Sequence, residues 1–276
     1  MLIDIYIGLS LIGAAVTVWL THIHWLFFLL IVPGYILGLF VLHLTVALII
    51  SLFVDKKRPV DHVGGFWHYV TVQTTYAVLR VAGARYRVVG DELLPRDRRF
   101  MLVSNHLSRF DPMICMVHFR RTPLAFVSKP ENFDIPIAGS FIHKCRFLPI
   151  DRENARNALT TLNTAASYIS SGEMSVGIYP EGTRSKTGEL LEFKDGVFKI
   201  ARDSHAPIVV MTVRGTDRIK DNFPFHPTPV ELRIVRVIQP EEYAGMRIGA
   251  ISAMVRQCMV DDLREENELS TPAVAE

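Results

Sequence analysis

Apolar positions along the 276-residue chain fall into two regimes. From Leu2 to Leu20 the only charged residue is Asp4, and Trp25 to Val54 carries no Asp, Glu, Lys or Arg. A helix needs about 20 apolar residues to cross a bilayer core, so the first run is just long enough and the second more than long enough. Beyond residue 58 the pattern becomes that of a folded domain. Tyr86–Val89 alternates and stops at Gly90; Phe100–Ser104, Ser175–Tyr179 and Ile208–Val213 are short buried runs; Glu231–Ile238 alternates again. These read as strands. Between them, Asn154–Ser170 carries Ala155, Ala158, Leu159, Leu162, Ala166 and Ile169 on one helical side, with Asp151 as the expected N-cap.

Strands alternating with helices predict an α/β domain with a mixed, mostly parallel central sheet flanked by helices. A hydrophobic two-helix membrane anchor precedes it. The expected divisions are residues 1–58 for the anchor, 59–84 for a helical linker along the membrane interface, 85–262 for the α/β domain, and 263–276 for an acidic, disordered tail.

Charge orients the anchor. The turn Thr21–His24 holds no Lys or Arg, whereas Asp55-Lys56-Lys57-Arg58 follows the second run. The positive-inside rule then puts residue 55 onward on the cytoplasmic face. No basic start or small-residue cleavage site marks a signal peptide. Pro33-Gly34 should break or kink the second helix, which leaves two geometries: a spanning hairpin, or a pair lying within one leaflet.

A net charge of +2 is too small to imply nucleic acid. Ten Lys and Arg lie between Arg80 and Lys129 against four acidic residues, which suits an anionic lipid surface or anionic substrates. The three cysteines are scattered and there is no HExxH, so neither a disulfide framework nor a metal site is expected.

Two runs carry chemistry. Ser104-Asn105-His106-Leu107-Ser108-Arg109-Phe110-Asp111-Pro112 begins where a buried strand ends, and Asp111-Pro112 looks like a helix N-terminus with Asp111 as N-cap. On one helix His106 and Asp111 would point about 140° apart. On a strand–loop–helix corner they can meet, at the carboxyl end of the sheet where α/β sites form. An imidazole takes a proton from a hydroxyl, and a carboxylate on its other nitrogen fixes the tautomer and stabilises the imidazolium. If a substrate supplies the hydroxyl, no enzyme serine is needed; Ser108 is the alternative nucleophile. The second run, Tyr179-Pro180-Glu181-Gly182-Thr183-Arg184-Ser185-Lys186-Thr187-Gly188, also follows a buried strand. Arg184 offers a planar fork for phosphate, with Thr183 and Ser185 adding hydroxyls.

The order of motifs is more specific than any one of them. Asn105-His106-x4-Asp111, Lys129-Pro130, Pro149-Ile150-Asp151-Arg152, Pro180-Glu181-Gly182-Thr183-Arg184-Ser185 and Ala206-Pro207-Ile208-Val209 together resemble the glycerolipid acyltransferase family, in its 1-acyl-sn-glycerol-3-phosphate acyltransferase branch. Phe193-Lys194-x-Gly196 resembles the stretch after the family's phosphate motif. The resemblance implies His106 as general base, Asp111 as its orienting partner, Glu181, Gly182, Thr183 and Arg184 as the acceptor site, and Lys129 and Arg152 as further phosphate cations. It implies lysophosphatidic acid as acceptor, acyl-CoA or acyl carrier protein as donor, membrane lipid as surroundings, and no cofactor. Other acceptors (glycerol-3-phosphate, another lysophospholipid, a lyso-aminolipid), a membrane-bound hydrolase and a non-catalytic lipid-binding protein remain as alternatives. Two positions depart from the pattern: Arg146, where relatives often carry glycine, and Arg109, where an aromatic often stands.

Overall fold

The computed structural model describes residues 2–270. The chain divides into two compact units: Met1–Val81 with Glu131–Arg146, and Ala82–Pro130 with Phe147–Glu276.

The first unit contains helices α1 (Leu2–Thr21), α2 (Phe28–Leu52) and α3 (Gly65–Val81), joined by α5 (Ala138–Lys144). Both α1 and the stretch from Trp25 to Leu52 are long and apolar enough to cross a membrane, by length and composition. Their outer faces expose Trp19, Leu30 and Leu52, the large apolar surface expected of helices that meet lipid rather than water. Helix α2 continues through Pro33, where a break or kink was expected. The few polar groups within the helices bond one another, as groups away from water must. Tyr6 Oη meets His43 Nδ1 at 3.0 Å, His43 Nε2 meets Thr74 Oγ1 at 2.9 Å, and Leu2 N donates to Gln73 Oε1 at 3.0 Å. The expected linker is therefore a helix bound to the two apolar ones.

Residues 131–146, expected in the α/β domain, belong to this unit instead. Ser140 Oγ donates to the Ser51 carbonyl at 3.0 Å, and Phe141 packs edge-on against Trp67. Arg146 ends the segment at φ 58°, in the left-handed region that glycine enters without strain. That backbone would suit the glycine that the resemblance implies at this position.

The second unit is built on one seven-stranded sheet. Its strands are β1 (Ala84–Val89), β2 (Met101–Ser104), β3 (Leu124–Ser128), β4 (Leu148–Pro149), β5 (Ser175–Ile178), β6 (Ile208–Arg214) and β7 (Thr228–Ile238), in the order β1-β7-β6-β2-β5-β3-β4. Every pairing is parallel except β6 with β7. The mixed, mostly parallel sheet is as the alternation of elements indicated. Its middle strands are apolar on both faces, as a sheet covered by helices requires: β2, β5 and β6 bury Met101, Leu102, Val103, Val176, Ile178 and Ile208–Met211. Helices α4 (Phe110–His118), α6 (Ala155–Ser170), α7 (Lys199–Ser204), α8 (Ile219–Asn222), α9 (Pro240–Tyr243) and α10 (Ile248–Ser270) complete the unit.

Two local expectations shift. Helix α6 is capped by Asn154, whose Oδ1 accepts from Arg156 N and Asn157 N, while Asp151 accepts from Glu153 N one turn earlier. Helix α10 runs on to Ser270, past the expected disorder from residue 263, because Leu263-Arg264-Glu265-Glu266 are good helix formers that extend a helix already docked through Ile251, Val255 and Met259. The rest of the expected tail, 271–276, lies outside the described residues.

At the β6–β7 edge Glu231 accepts from Arg87 Nε at 2.7 Å and from Arg233 Nη2 at 2.8 Å, and Arg214 also reaches Asp262. Burial alone would raise the Glu231 carboxyl, but bonds and charges from Arg233 and Arg87 hold it below its ordinary 4.5. A carboxyl lowered in the folded state adds stability above its unfolded value and loses it as pH falls through the folded one. Glu231→Gln should therefore cost about 1–3 kcal/mol at neutral pH. Urea unfolding from pH 7 to pH 3 should show that gap closing below the ordinary value.

Candidate active site

Four motif loops leave four adjacent strands at the same end of the sheet. Strands β2, β5, β3 and β4 are neighbours and run parallel, so Asn105-His106, Tyr179–Arg184, Lys129 and Ile150–Arg152 all follow carboxyl ends. Loops at this end of an α/β sheet are where ligands usually bind. The Ile150 N–H bonds the Ser128 carbonyl at 2.9 Å, which ties the loops bearing Arg152 and Lys129 at their bases.

His106 and Asp111 meet across the corner: Nδ1 lies 2.7 Å from Asp111 Oδ2. The corner differs from the expected cap. Helix α4 starts at Phe110, and Asp111 in its first turn points back along the chain. Oδ2 also accepts from Leu107 N at 2.7 Å and Ser108 N at 2.9 Å, and Oδ1 accepts from the Ser108 and Thr216 hydroxyls. Asp111 is fully buried, and these donors supply what water would otherwise give. The carboxylate thus holds both the loop and the ring. With Nδ1 bound to a carboxylate, Nδ1 carries the proton and Nε2 is the open acceptor. Among the described residues Nε2 has no hydrogen bond, and the side chain is 19% exposed.

The phosphate-type loop is laced to this corner. Glu181 Oε1 accepts from His106 N at 2.6 Å, Oε2 accepts from Leu191 N at 2.9 Å, and Ser185 N donates to the His106 carbonyl at 2.8 Å. Glu181 was expected to face the acceptor. It is buried with both oxygens bonded inward, so it spans two loops instead. Burial raises its carboxyl, an effect offset in part by the Leu191 and His106 N–H bonds.

Gly182 sits at φ 71°, where a side chain would be strained, and its carbonyl accepts from Arg152 Nη1. A Cβ there would lie 3.6 Å from Lys194 Cγ and 3.9 Å from Arg152 Cζ. The structure thus brings together His106, Asp111, Glu181, Gly182 and Arg152. Thr183 and Arg184 are exposed on the same loop, and Lys129 is exposed at the end of β3. None of those three side chains has a bonded partner among the described residues, which leaves two cations available to an anion. Ser108 accepts from Phe110 N at 3.0 Å and donates to Asp111, a capping role rather than that of a poised nucleophile. Cys115 is equally unavailable, since burial pushes its thiol far up.

Sequence reasoning missed four contributors. Asn105 pairs its amide with both the N–H and the carbonyl of Val213, locking β2 to β6. Thr216 bonds Asp111, Lys194 lies beside Gly182, and the Tyr179 ring stacks on His106 with centroids 4.3 Å apart. For Lys194 the motif stretch was a usable signal; for Thr216 there was none.

A family model described as Acyltransferase matches residues 85–214. A 1-acyl-sn-glycerol-3-phosphate acyltransferase of Saccharomyces cerevisiae is 30% identical over 203 residues, covering 71% of this chain and 66% of the relative. One from Limnanthes douglasii is 29% identical over 188 residues, covering 67% of this chain and 66% of the relative. The chain thus spans just under two thirds of the length of each. The crystal structure of the 1-acyl-sn-glycerophosphate acyltransferase of Thermotoga maritima matches with a TM-score of 0.57 at 20% identity, covering 81% of this chain and 88% of that one, a likeness of fold. The matched segment encloses the His-x4-Asp corner and the phosphate-type loop, so residues 85–214 form an acyltransferase domain, similar to that of 1-acyl-sn-glycerol-3-phosphate acyltransferases.

Proposed function

We propose that this protein is a membrane-associated 1-acylglycerol-3-phosphate O-acyltransferase. It moves a fatty acyl group from acyl-CoA or acyl carrier protein to the sn-2 hydroxyl of lysophosphatidic acid, giving phosphatidic acid for phospholipid synthesis. The observation that carries this reading is the 2.7 Å bond from His106 Nδ1 to buried Asp111, which leaves Nε2 open beside a cation-bearing loop. A binding module has no use for such a base.

In this mechanism His106 Nε2 takes the proton as the acceptor oxygen attacks the thioester carbonyl carbon. The tetrahedral intermediate collapses, the carbon–sulfur bond breaks, and the imidazolium returns its proton to the departing thiolate. Asp111 keeps the ring in the required tautomer throughout. Arg184, Lys129 and Arg152 hold the acceptor phosphate, which makes the attack effectively intramolecular. Gly182 and Thr183 shape that loop. In this reading the two apolar helices keep the protein at a lipid surface, and the basic run Lys56-Lys57-Arg58 supports a cytoplasmic face. No nucleic acid takes part.

The test supplies the purified protein in lipid with labelled acyl-CoA, or acyl carrier protein, and a panel of acceptors. Lysophosphatidic acid should give diacyl product, and an uncharged monoacylglycerol should be at least about 10-fold poorer, in line with the loss of charge-assisted hydrogen bonds. Free fatty acid as the sole product would identify a hydrolase. Equal use of an uncharged acceptor would remove the phosphate clamp. In the same assay Arg184→Ala should raise the KM for lysophosphatidic acid about 10–100-fold with a smaller change in kcat, the mark of lost binding rather than lost chemistry.

A further inference from the structure

A single hydrogen bond aims an imidazole but does not set the plane of its ring. Asp111 holds His106 at Nδ1, and twisting about that bond would swing Nε2 away from an acceptor. Three aromatic side chains and one glycine supply the missing constraint. Gly177 and Tyr179 stand two apart along β5 and its end, so they share a face. Phe126 of β3 pairs in register with Gly177 and projects to that same face. A Cβ on Gly177 would come within 2.7 Å and 2.8 Å of the Phe126 ring atoms Cδ1 and Cζ, closer than real Cβ atoms approach. The absent side chain is therefore what lets the Phe126 ring lie across β5.

There Phe126 stacks on Tyr179, with centroids 5.6 Å apart and planes 9° apart. Tyr179 in turn stacks on His106 at 4.3 Å and 19°. Phe147 braces Phe126 from the far side at 5.6 Å. The buried Tyr179 hydroxyl faces the Cys115 thiol and meets full hydrogen-bond geometry with no group among the described residues, so the phenol acts on His106 through its ring rather than its oxygen.

We propose that Tyr179 is a positioning residue for His106, and that Phe126 over Gly177 is the platform that fixes it. The inference rests on the transferase reading for its consequence, since the ring that is positioned is the one given the base's role. The Asp111 bond sets where Nε2 points, and the stack sets the plane in which its lone pair lies.

Tyr179→Phe keeps the ring and should leave kcat within about twofold of wild type. Tyr179→Leu keeps bulk without a flat face and should lower kcat about tenfold, with the acceptor KM within about twofold, as misplacement of a reacting group predicts. Gly177→Ala should act in the same direction by displacing Phe126. Activities are normalised to the folded fraction from circular dichroism, so a variant that only destabilises the fold would show wild-type kcat per folded molecule. That result for Tyr179→Leu would overturn the proposal. A second readout needs no turnover: the low-field proton resonance of His106 Nδ1–H should persist in Tyr179→Phe and broaden or vanish in Tyr179→Leu. A resonance unchanged in Tyr179→Leu overturns the positioning role. Loss of the resonance in Tyr179→Leu, with no turnover even in wild type, supports the positioning role and sinks the transferase reading.

Discussion

His106→Ala should lower kcat by about 10³–10⁴, Asp111→Asn by about 10²–10³, and the double variant no further than His106→Ala alone. The first figure is the upper range for removing a general base. The second is smaller for a reason visible in the corner. An Asn side chain at 111 has one oxygen, and the backbone N–H groups of Leu107 and Ser108 demand it at the Oδ2 position. The same oxygen then still accepts from His106 Nδ1, so the tautomer survives and only the negative charge is lost. A unit charge near an imidazolium at an effective dielectric of about 20 is worth about 4 kcal/mol at 4 Å, which bounds the loss near 10³. The amide group falls opposite the Ser108 and Thr216 hydroxyls, whose oxygens accept from it.

Non-additivity is the diagnostic part. Groups that act as one unit lose their joint contribution when either is removed, so Asp111→Asn should have no further effect once His106 is Ala. Folding should survive His106→Ala with a small loss, because Asp111 keeps its two backbone and two hydroxyl donors. The measurement is kcat at saturating acceptor and donor, beside a thermal melt for each variant. His106→Ala retaining more than about a tenth of wild-type activity would remove histidine from the chemistry.

The contrast between what sequence carried and what it did not follows from range. His106 and Asp111 are five apart, so the strand–loop–helix corner between them was readable from Pro112 and from the buried run before it. Its fine geometry was not: a residue whose carboxylate turns back to Leu107 and Ser108 reads in sequence just like an N-cap. Strand β3, Leu124–Ser128, was not among the buried runs read as strands. Strand β4 has only two residues, too few for any period. Residues 131–146 look like part of the α/β domain in sequence, and only the partners Ser51 and Trp67, far upstream, assign them to the helical unit. The resemblance put Glu181 in the acceptor site, whereas one of its two bonds reaches the backbone of His106, 75 residues earlier. Thr216 is 105 residues from the carboxylate it serves.

Glu181 gives the second large effect, and its sign is the informative part. Glu181→Ala should lower stability by about 2–6 kcal/mol, since two part-buried N–H groups, those of His106 and Leu191, would lose their acceptor at about 1–3 kcal/mol each. It should also cost about 10² in kcat, because the loop that carries Gly182, Thr183 and Arg184 would no longer be fixed to the backbone of the base, and a shift of about 1 Å is enough for that. The pH dependence separates the buried carboxylate from a solvent-facing one. Burial raises the Glu181 carboxyl above its ordinary 4.5, with the Leu191 and His106 bonds opposing. A raised carboxyl holds its proton more tightly in the folded state, so its contribution to stability is greatest at acid pH and declines as pH rises from the ordinary value through the raised one. The difference in stability between wild type and Glu181→Ala should therefore shrink across that window on going from acid to neutral, then stay level. A group facing solvent in an acceptor pocket would give a flat difference over the same range, and a cation-stabilised one would give the opposite slope. Urea unfolding of both proteins in detergent from pH 4 to pH 8 reads the slope directly, and a difference that grows with pH would mean that Glu181 is held by positive charge and faces the acceptor after all.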